Sequence, residues 1–246
     1  MRILKTALQI LVIGAIGFLI LNGYRSWLSR SDSFLISKIE IRGNDFLSDD
    51  EICELAGVSC ENNTWRIDLI KAEDNIRKNR LVEQVLIHRM LPDILEIRIQ
   101  EKQALALLKV DDALYAIDPE GYILPSKPGK MYNMPILSGQ FTGPVRVGSD
   151  IHATPVVTGL NFIHQVLEDR PGMYNEISEV VTDRESSLHL YLTREGIPVY
   201  MGDSDHLLKI RSLEALIRQS GSSLSMKNVR YVDLRYKGQV ILGMRT

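Results

Sequence analysis

The chain has 246 residues, 45% of them apolar and 24% charged, with a formal net charge of −2. That much apolar material excludes wholesale disorder and fits one large or two small domains once an anchor is set aside. Lys and Arg are scattered, so the basic stripe needed to neutralise phosphates is missing and nucleic acid is a poor fit as a partner.

Residues 6–24, Thr6 to Tyr24, carry no charge and are mostly Leu, Ile, Val, Ala and Gly. At 1.5 Å per residue a helix of this length matches the ~30 Å hydrocarbon layer of a bilayer, where only a helix or a closed barrel satisfies its own backbone. The rival reading is a cleaved signal peptide, but the segment ends Leu21-Asn22-Gly23-Tyr24-Arg25, with no small-residue cleavage pattern. The flanking charges, Arg2 and Lys5 before, Arg25, Arg30 and Asp32 after, barely discriminate the two orientations. A tail of residues 1–5 is too short for a domain, so the expectation is a cytoplasmic tail, one span over 6–24 and the bulk of the chain outside.

Beyond the anchor, Ile39 and Ile41 alternate with charged neighbours, the period of a half-exposed strand. Ser48-Asp49-Asp50-Glu51 is a capping box, predicting a short helix to about Ala56, stopped by Gly57. Leu69, Ala72 and Ile76 are spaced as one face of a second helix. Residues 82–89 and 94–100 read as strands joined by a turn at Pro92-Asp93. The first domain is therefore strand, helix, helix, strand, strand.

From about Ala104 short strands dominate: 105–110, 114–117 and 122–124, with Asp118-Pro119-Glu120-Gly121 as the turn before the last. Residues 125–148, rich in Pro and Gly, read as loops plus edge strands. Residues 157–167 form an amphipathic helix through Leu160, Ile163 and Leu167, and residues 204–219 another through Leu207, Ile210, Leu213 and Ile217. Three strands lie between them, at 177–182, 188–193 and 197–201. Residues 229–234 and 239–242 close the chain as strands. A terminal strand lies either at a sheet edge, free to template a partner's strand, or inside the sheet; pattern alone leaves both open.

Chemistry is sparse. The histidines at 88, 152, 164, 189 and 206 show no metal-binding spacing, and no nucleophile elbow, phosphate loop or dinucleotide fingerprint occurs. No catalytic residue, metal or cofactor is predicted. Asp49-Asp50-Glu51 and Asp111-Asp112 suit a helix start and a turn, where Asp bonds locally. Asn62-Asn63-Thr64 matches a glycosylation triplet, a pattern frequent by chance. Cys53 and Cys60 are close enough along the chain for a disulfide in an oxidising compartment; two buried thiols are the other reading.

The order of a short tail and one span, then Ile39-Glu-Ile-Arg-Gly-Asn44, Ser48-Asp-Asp-Glu-Ile52 and Arg89-Met-Leu-Pro-Asp-Ile-Leu-Glu-Ile97, resembles the FtsQ/DivIB family of bacterial cell-division proteins. Tyr122-Ile-Leu124, Met134-Pro-Ile-Leu-Ser-Gly139, Gly202-Asp203 and Tyr231-Val-Asp-Leu-Arg-Tyr236 extend the resemblance over essentially the whole chain. It implies an α+β chain: a transmembrane helix, a polypeptide-transport-associated (POTRA) domain of β-α-α-β-β order over 34–102, and a mostly antiparallel β-domain with two or three helices over 103–246. It also implies a non-enzymatic divisome scaffold in the cytoplasmic membrane, concentrated at the septum, that holds FtsB/DivIC-like and FtsL-like bitopic partners and links them to septal peptidoglycan synthesis. Carried onto this chain, the partner-binding residues are Arg235, Tyr236, Gly238 and the strand Gln239, Val240, Ile241, with Arg184 offering a charge to an acidic group of the partner. The alternative is a POTRA protein of polypeptide translocation or outer-membrane assembly.

Overall fold

The computed structural model describes residues 2–126, 133–139, 141, 143–183, 185, 187–219 and 226–245, and only the backbone of residues 2–10. The chain is an α+β protein whose residues 1–102 and 103–246 form two compact units.

In the first unit, helix α1 (Arg2–Arg30) is followed by β1 (Lys38–Arg42), α2 (Asp49–Ala56), α3 (Leu69–Arg77), β2 (Val82–Met90) and β3 (Ile94–Glu101). Within α1, Leu11–Arg30 is long and apolar enough to cross a membrane. Its Leu and Ile side chains from Leu11 to Leu21 are exposed, as they would be in lipid rather than in a protein core. The sheet has the order β1-β3-β2, with β1 parallel and β2 antiparallel to β3. Central β3 presents Leu95, Ile97 and Ile99 to one face, where Ile52 of α2 and Ile76 of α3 complete the core.

The resemblance motifs each have a local cause. Ser48 accepts the Glu51 N–H while the Glu51 carboxylate accepts the Ser48 N–H, so both halves of the capping box form. Gly43 has φ 89°, and a Cβ there would lie 2.1 Å from the Ile99 carbonyl oxygen, so only glycine fits. Buried Glu101 accepts the N–H groups of Phe46 (2.7 Å) and Leu47 (2.9 Å), fixing the approach to α2. Arg89 reaches across to donate to the carbonyls of Thr64 (2.7 Å) and Ile67 (2.6 Å), tying down the loop before α3.

The second unit runs β4 (Ala106–Val110), β5 (Ala113–Ile117), β6 (Ile136–Gly139), α4 (Thr154–Asp169), α5 (Pro171–Tyr174), β7 (Ile177–Thr182), β8 (Leu188–Leu192), β9 (Pro198–Gly202), α6 (His206–Gln219), β10 (Val229–Asp233) and β11 (Ile241–Met244). They build an eight-stranded sheet in the order β11-β10-β9-β8-β7-β6-β4-β5. The pairs β10–β11, β8–β9, β7–β8 and β4–β5 are antiparallel; β9–β10, β6–β7 and β4–β6 are parallel. Leu160 and Ile163 of α4, with Ile210 and Leu213 of α6, pack on Leu137, Val180, Leu190, Val199 and Val232 of the strands.

Three expectations are adjusted. β6 is an interior strand, flanked by β4 and β7, where residues 125–148 read as loops and edge strands; its Leu137 is buried and the Pro135 carbonyl accepts the Leu107 N–H. Residues 122–124 form no strand of their own but the isolated bridges Ile117–Ile123 and Tyr122–Asp150, next to a tight turn that Asp118 closes by accepting the N–H groups of Glu120 and Tyr122. The last strand begins at Ile241 and runs to Met244. Leu234 stays bonded to the Tyr200 carbonyl on β9, so the chain turns late and residues 234–240 are spent on the connection.

Candidate functional site: the β10–β11 hairpin

β11 is the outermost strand of its sheet and pairs with β10 alone among the described strands. Val232 faces Leu242 across the ladder, and Leu242 packs on the core, while Tyr231 faces Gly243 and Asp233 faces Ile241. A Cβ on Gly243 would meet the Tyr231 ring at 2.2 Å, so the absent side chain is what lets Tyr231 lie across the edge strand. Tyr231 meets Tyr200 of β9 at 6.0 Å between ring centres, and Tyr200 meets His189 of β8 at 5.4 Å. The result is an aromatic row on the face opposite the helices.

The turn is organised by Asp233. Its buried carboxylate accepts the Arg235 N–H (3.0 Å), Nε (3.0 and 3.2 Å) and Nη2 (2.6 Å). This fork, chiefly through the side-chain hydrogen bonds, holds the Asp233 carboxyl below its ordinary value and raises that of Arg235. The guanidinium carbon sits 5.4 Å from the Tyr200 ring centre, a cation–π contact. The Gln239 N–H donates to the Tyr236 carbonyl at 3.1 Å, and Gly238 takes φ 70° inside this turn.

Beside the turn, Leu208 and Lys209 of α6 and Leu234, Tyr236 and Gln239 line a groove of about 230 Å³. Tyr236 is 55% exposed, Val240 41%, Ile241 38% and Met244 49%, an apolar concentration rarely left bare without cause.

Of the residues expected to bind a partner, Arg235, Tyr236, Gly238, Gln239, Val240 and Ile241 come together here, all exposed; only Ile241 lies within the strand itself. Arg184 lies outside the described residues. Cys53, partly buried on α2, and Cys60, exposed beyond it, are not bridged in this structure; of the two readings, a disulfide or two buried thiols, the exposure of Cys60 departs from the second. Burial, with the charges of Asp49 and Asp50, pushes the Cys53 thiol up, away from reactivity. Sequence reading missed Tyr200, Tyr231, Gly243 and Leu208; the signal available was the outward parity of Tyr200 and Tyr231 in alternating strands. Among the described residues no group of three or more His, Cys, Asp or Glu side chains forms a candidate metal site.

One apolar helix, a β-α-α-β-β unit and a mixed eight-stranded sheet whose terminal edge is open among the described residues fit a single-span membrane protein with the bulk of the chain on one side. The family model for the FtsQ-type POTRA domain matches residues 34–102, and that for the C-terminal region of the cell division proteins FtsQ/DivIB matches residues 106–235. The chain belongs to the FtsQ/DivIB family of cell-division proteins. It is 24% identical over 216 residues to the cell division protein FtsQ of Syntrophotalea carbinolica, covering 87% of this chain and 76% of that one. To the cell division protein DivIB of Clostridium botulinum strain Hall it is 28% identical over 216 residues, covering 85% and 81%. To DivIB of Bacillus subtilis it is 34% identical over 93 residues, covering 37% and 35%.

Proposed function

We propose that the chain is a non-enzymatic scaffold of the septal division machinery that captures FtsB/DivIC-like and, through them, FtsL-like bitopic partners at the free edge of β11, and so couples them to septal peptidoglycan synthesis. Family membership supports the cell-division role. The observation that carries the site is the edge itself: a terminal strand of sequence Ile-Leu-Gly-Met with no charge, no bulge-forming proline and no covering segment among the described residues. Proteins normally blunt such edges, and one left open is suited to receiving a strand. An incoming strand would gain main-chain hydrogen bonds from β11, while Tyr236 and the groove beside α6 take a side chain from the same partner. The span tethers the chain to the membrane that single-span partners also cross, with residues 1–5 on the cytoplasmic side. Arg184 is proposed as a supplementary charge contact.

The test is co-purification of the full chain with candidate bitopic division proteins, comparing wild type with Tyr236→Ala and Val240→Pro. Loss of capture by folded variants supports the site; undiminished capture by both removes it.

A further inference from the structure

At the far end of α1 the chain is tied to its own POTRA unit. Buried Asn63 donates from one amide nitrogen to the carbonyls of Leu28 (3.1 Å) and Ser31 (3.0 Å), capping the last turn of the helix, while its oxygen accepts the Trp65 N–H at 2.9 Å. The Thr64 N–H donates to the Phe34 carbonyl and the Ile36 N–H to that of Asn62. Beside this fixed junction opens a cavity of about 200 Å³, lined among others by Arg30, Asp32, Leu35, Glu61, Asn63 and Arg66.

The position of the cavity in a bilayer follows from α1. Tyr24 and Trp27 stack at 6.2 Å and are 57% and 60% exposed, the amphipathic pair that settles at headgroup level. Arg30 lies three residues further on, about 4.5 Å along the axis, so the cavity opens within the headgroup layer. Two cations, Arg30 and Arg66, and two anions, Asp32 and Glu61, face this small space. None of the four side chains makes a hydrogen bond or ion pair with another described residue. All four are exposed, at the mouth of a cavity below the size of a drug-like pocket, where a ligand with both charges can reach them. The negative end of the α1 dipole adds to the pole that attracts a cation.

We propose that this cavity binds the headgroup of a zwitterionic phosphoethanolamine lipid, its phosphate on Arg30 and Arg66 and its ammonium on Asp32 and Glu61. The chemistry discriminates: a choline headgroup has no N–H to give the carboxylates, and a glycerol headgroup has no cation for them. The bound lipid would fix the height of the POTRA unit above the bilayer, since Asn63 joins the cavity wall to the end of the span.

The chain contains two tryptophans, and both, Trp27 and Trp65, flank this junction, so intrinsic fluorescence reads the site directly. The full chain in maltoside micelles is titrated with dioleoyl phosphatidylethanolamine, phosphatidylcholine and phosphatidylglycerol, and with water-soluble glycerophosphoethanolamine. We expect a saturable change with the phosphoethanolamine lipid at a concentration about tenfold below that for the other two lipids, the scale of one charge-assisted hydrogen bond. Arg66→Gln and Glu61→Gln, both at exposed positions, each raise that midpoint by about tenfold. One midpoint for all three lipids, or no shift in either variant, would overturn the proposal. Saturation by glycerophosphoethanolamine at the lipid's own midpoint would overturn the assignment to a membrane lipid.

Discussion

The eight-stranded sheet ends in two different ways. At the β5 edge the chain folds back on itself: the Leu124 N–H donates to the Ala116 carbonyl at 2.8 Å, the Asp118 N–H to that of Tyr122 at 3.0 Å, and Ile123 bridges Ile117. At the β11 edge no described segment does this. The POTRA sheet resembles the covered end: on its outer strand β2, the Ile87 N–H is taken by the Glu73 carboxylate at 2.8 Å, and Glu83, His88 and Arg89 interrupt the apolar residues. Chain segments, side-chain acceptors and charge thus guard these edges, and among the described residues the same devices are missing from β11. We propose that a partner completes this edge in the assembled state.

If that contrast is the source of partner capture, the largest effect belongs to Val240→Pro. A ring placed just before β11, with its fixed φ and missing N–H, should weaken capture on the order of a hundredfold, within the hot-spot range. Tyr236→Ala should follow at about thirtyfold, leaving the unfolding midpoint unchanged because the ring is exposed. Pull-down and biolayer titration against the bitopic partner check both. Glu101→Ala reverses the pattern: it orphans the Phe46 and Leu47 N–H groups and should cost the POTRA unit about 2–3 kcal/mol in denaturant melts, with capture unchanged.

Smaller effects sharpen the comparison. Gly243→Val drives a side chain into the Tyr231 ring and should cost about 1–3 kcal/mol, together with part of the capture, as the edge strand is pushed out of line. The hairpin should also have an acid limb. Asp233 titrates below its unfolded value of ~3.9, so its contribution is complete above that pH and is lost as pH falls through the lower, folded value. Asp233→Asn should flatten the dependence of stability on pH below about 4 while leaving that near neutrality unshaped by this group.

How much of this was legible in the sequence depended on whether the deciding interaction was local. The capping box at Ser48 and Glu51, the periodicity of α3, α4 and α6, and the alternation of β3 are set by neighbours a turn or a pleat away, and they formed where the pattern put them. β6 was unreadable as an interior strand because its four residues gain their place by parallel pairing with β4 and β7, whose partners are remote in sequence. β11 starts two residues beyond the point that the pattern predicts for the same kind of reason, since Leu234 is held by Tyr200 and delays the turn. Tyr236, Val240 and Ile241 were named from the family resemblance, and the exposure of that run is visible only in the fold. Gly243 and the aromatic row it admits needed the register of β10 against β11, which no run of residues encodes by itself.

The central claim is tested most directly by amide hydrogen exchange on the full chain in lipid nanodiscs, with and without an FtsB/DivIC-like bitopic partner. A strand added to the sheet edge should slow exchange at Ile241–Met244 and leave the β5 edge and the POTRA strands as they were. A stable complex in which Ile241–Met244 exchanges at its free rate would contradict the account.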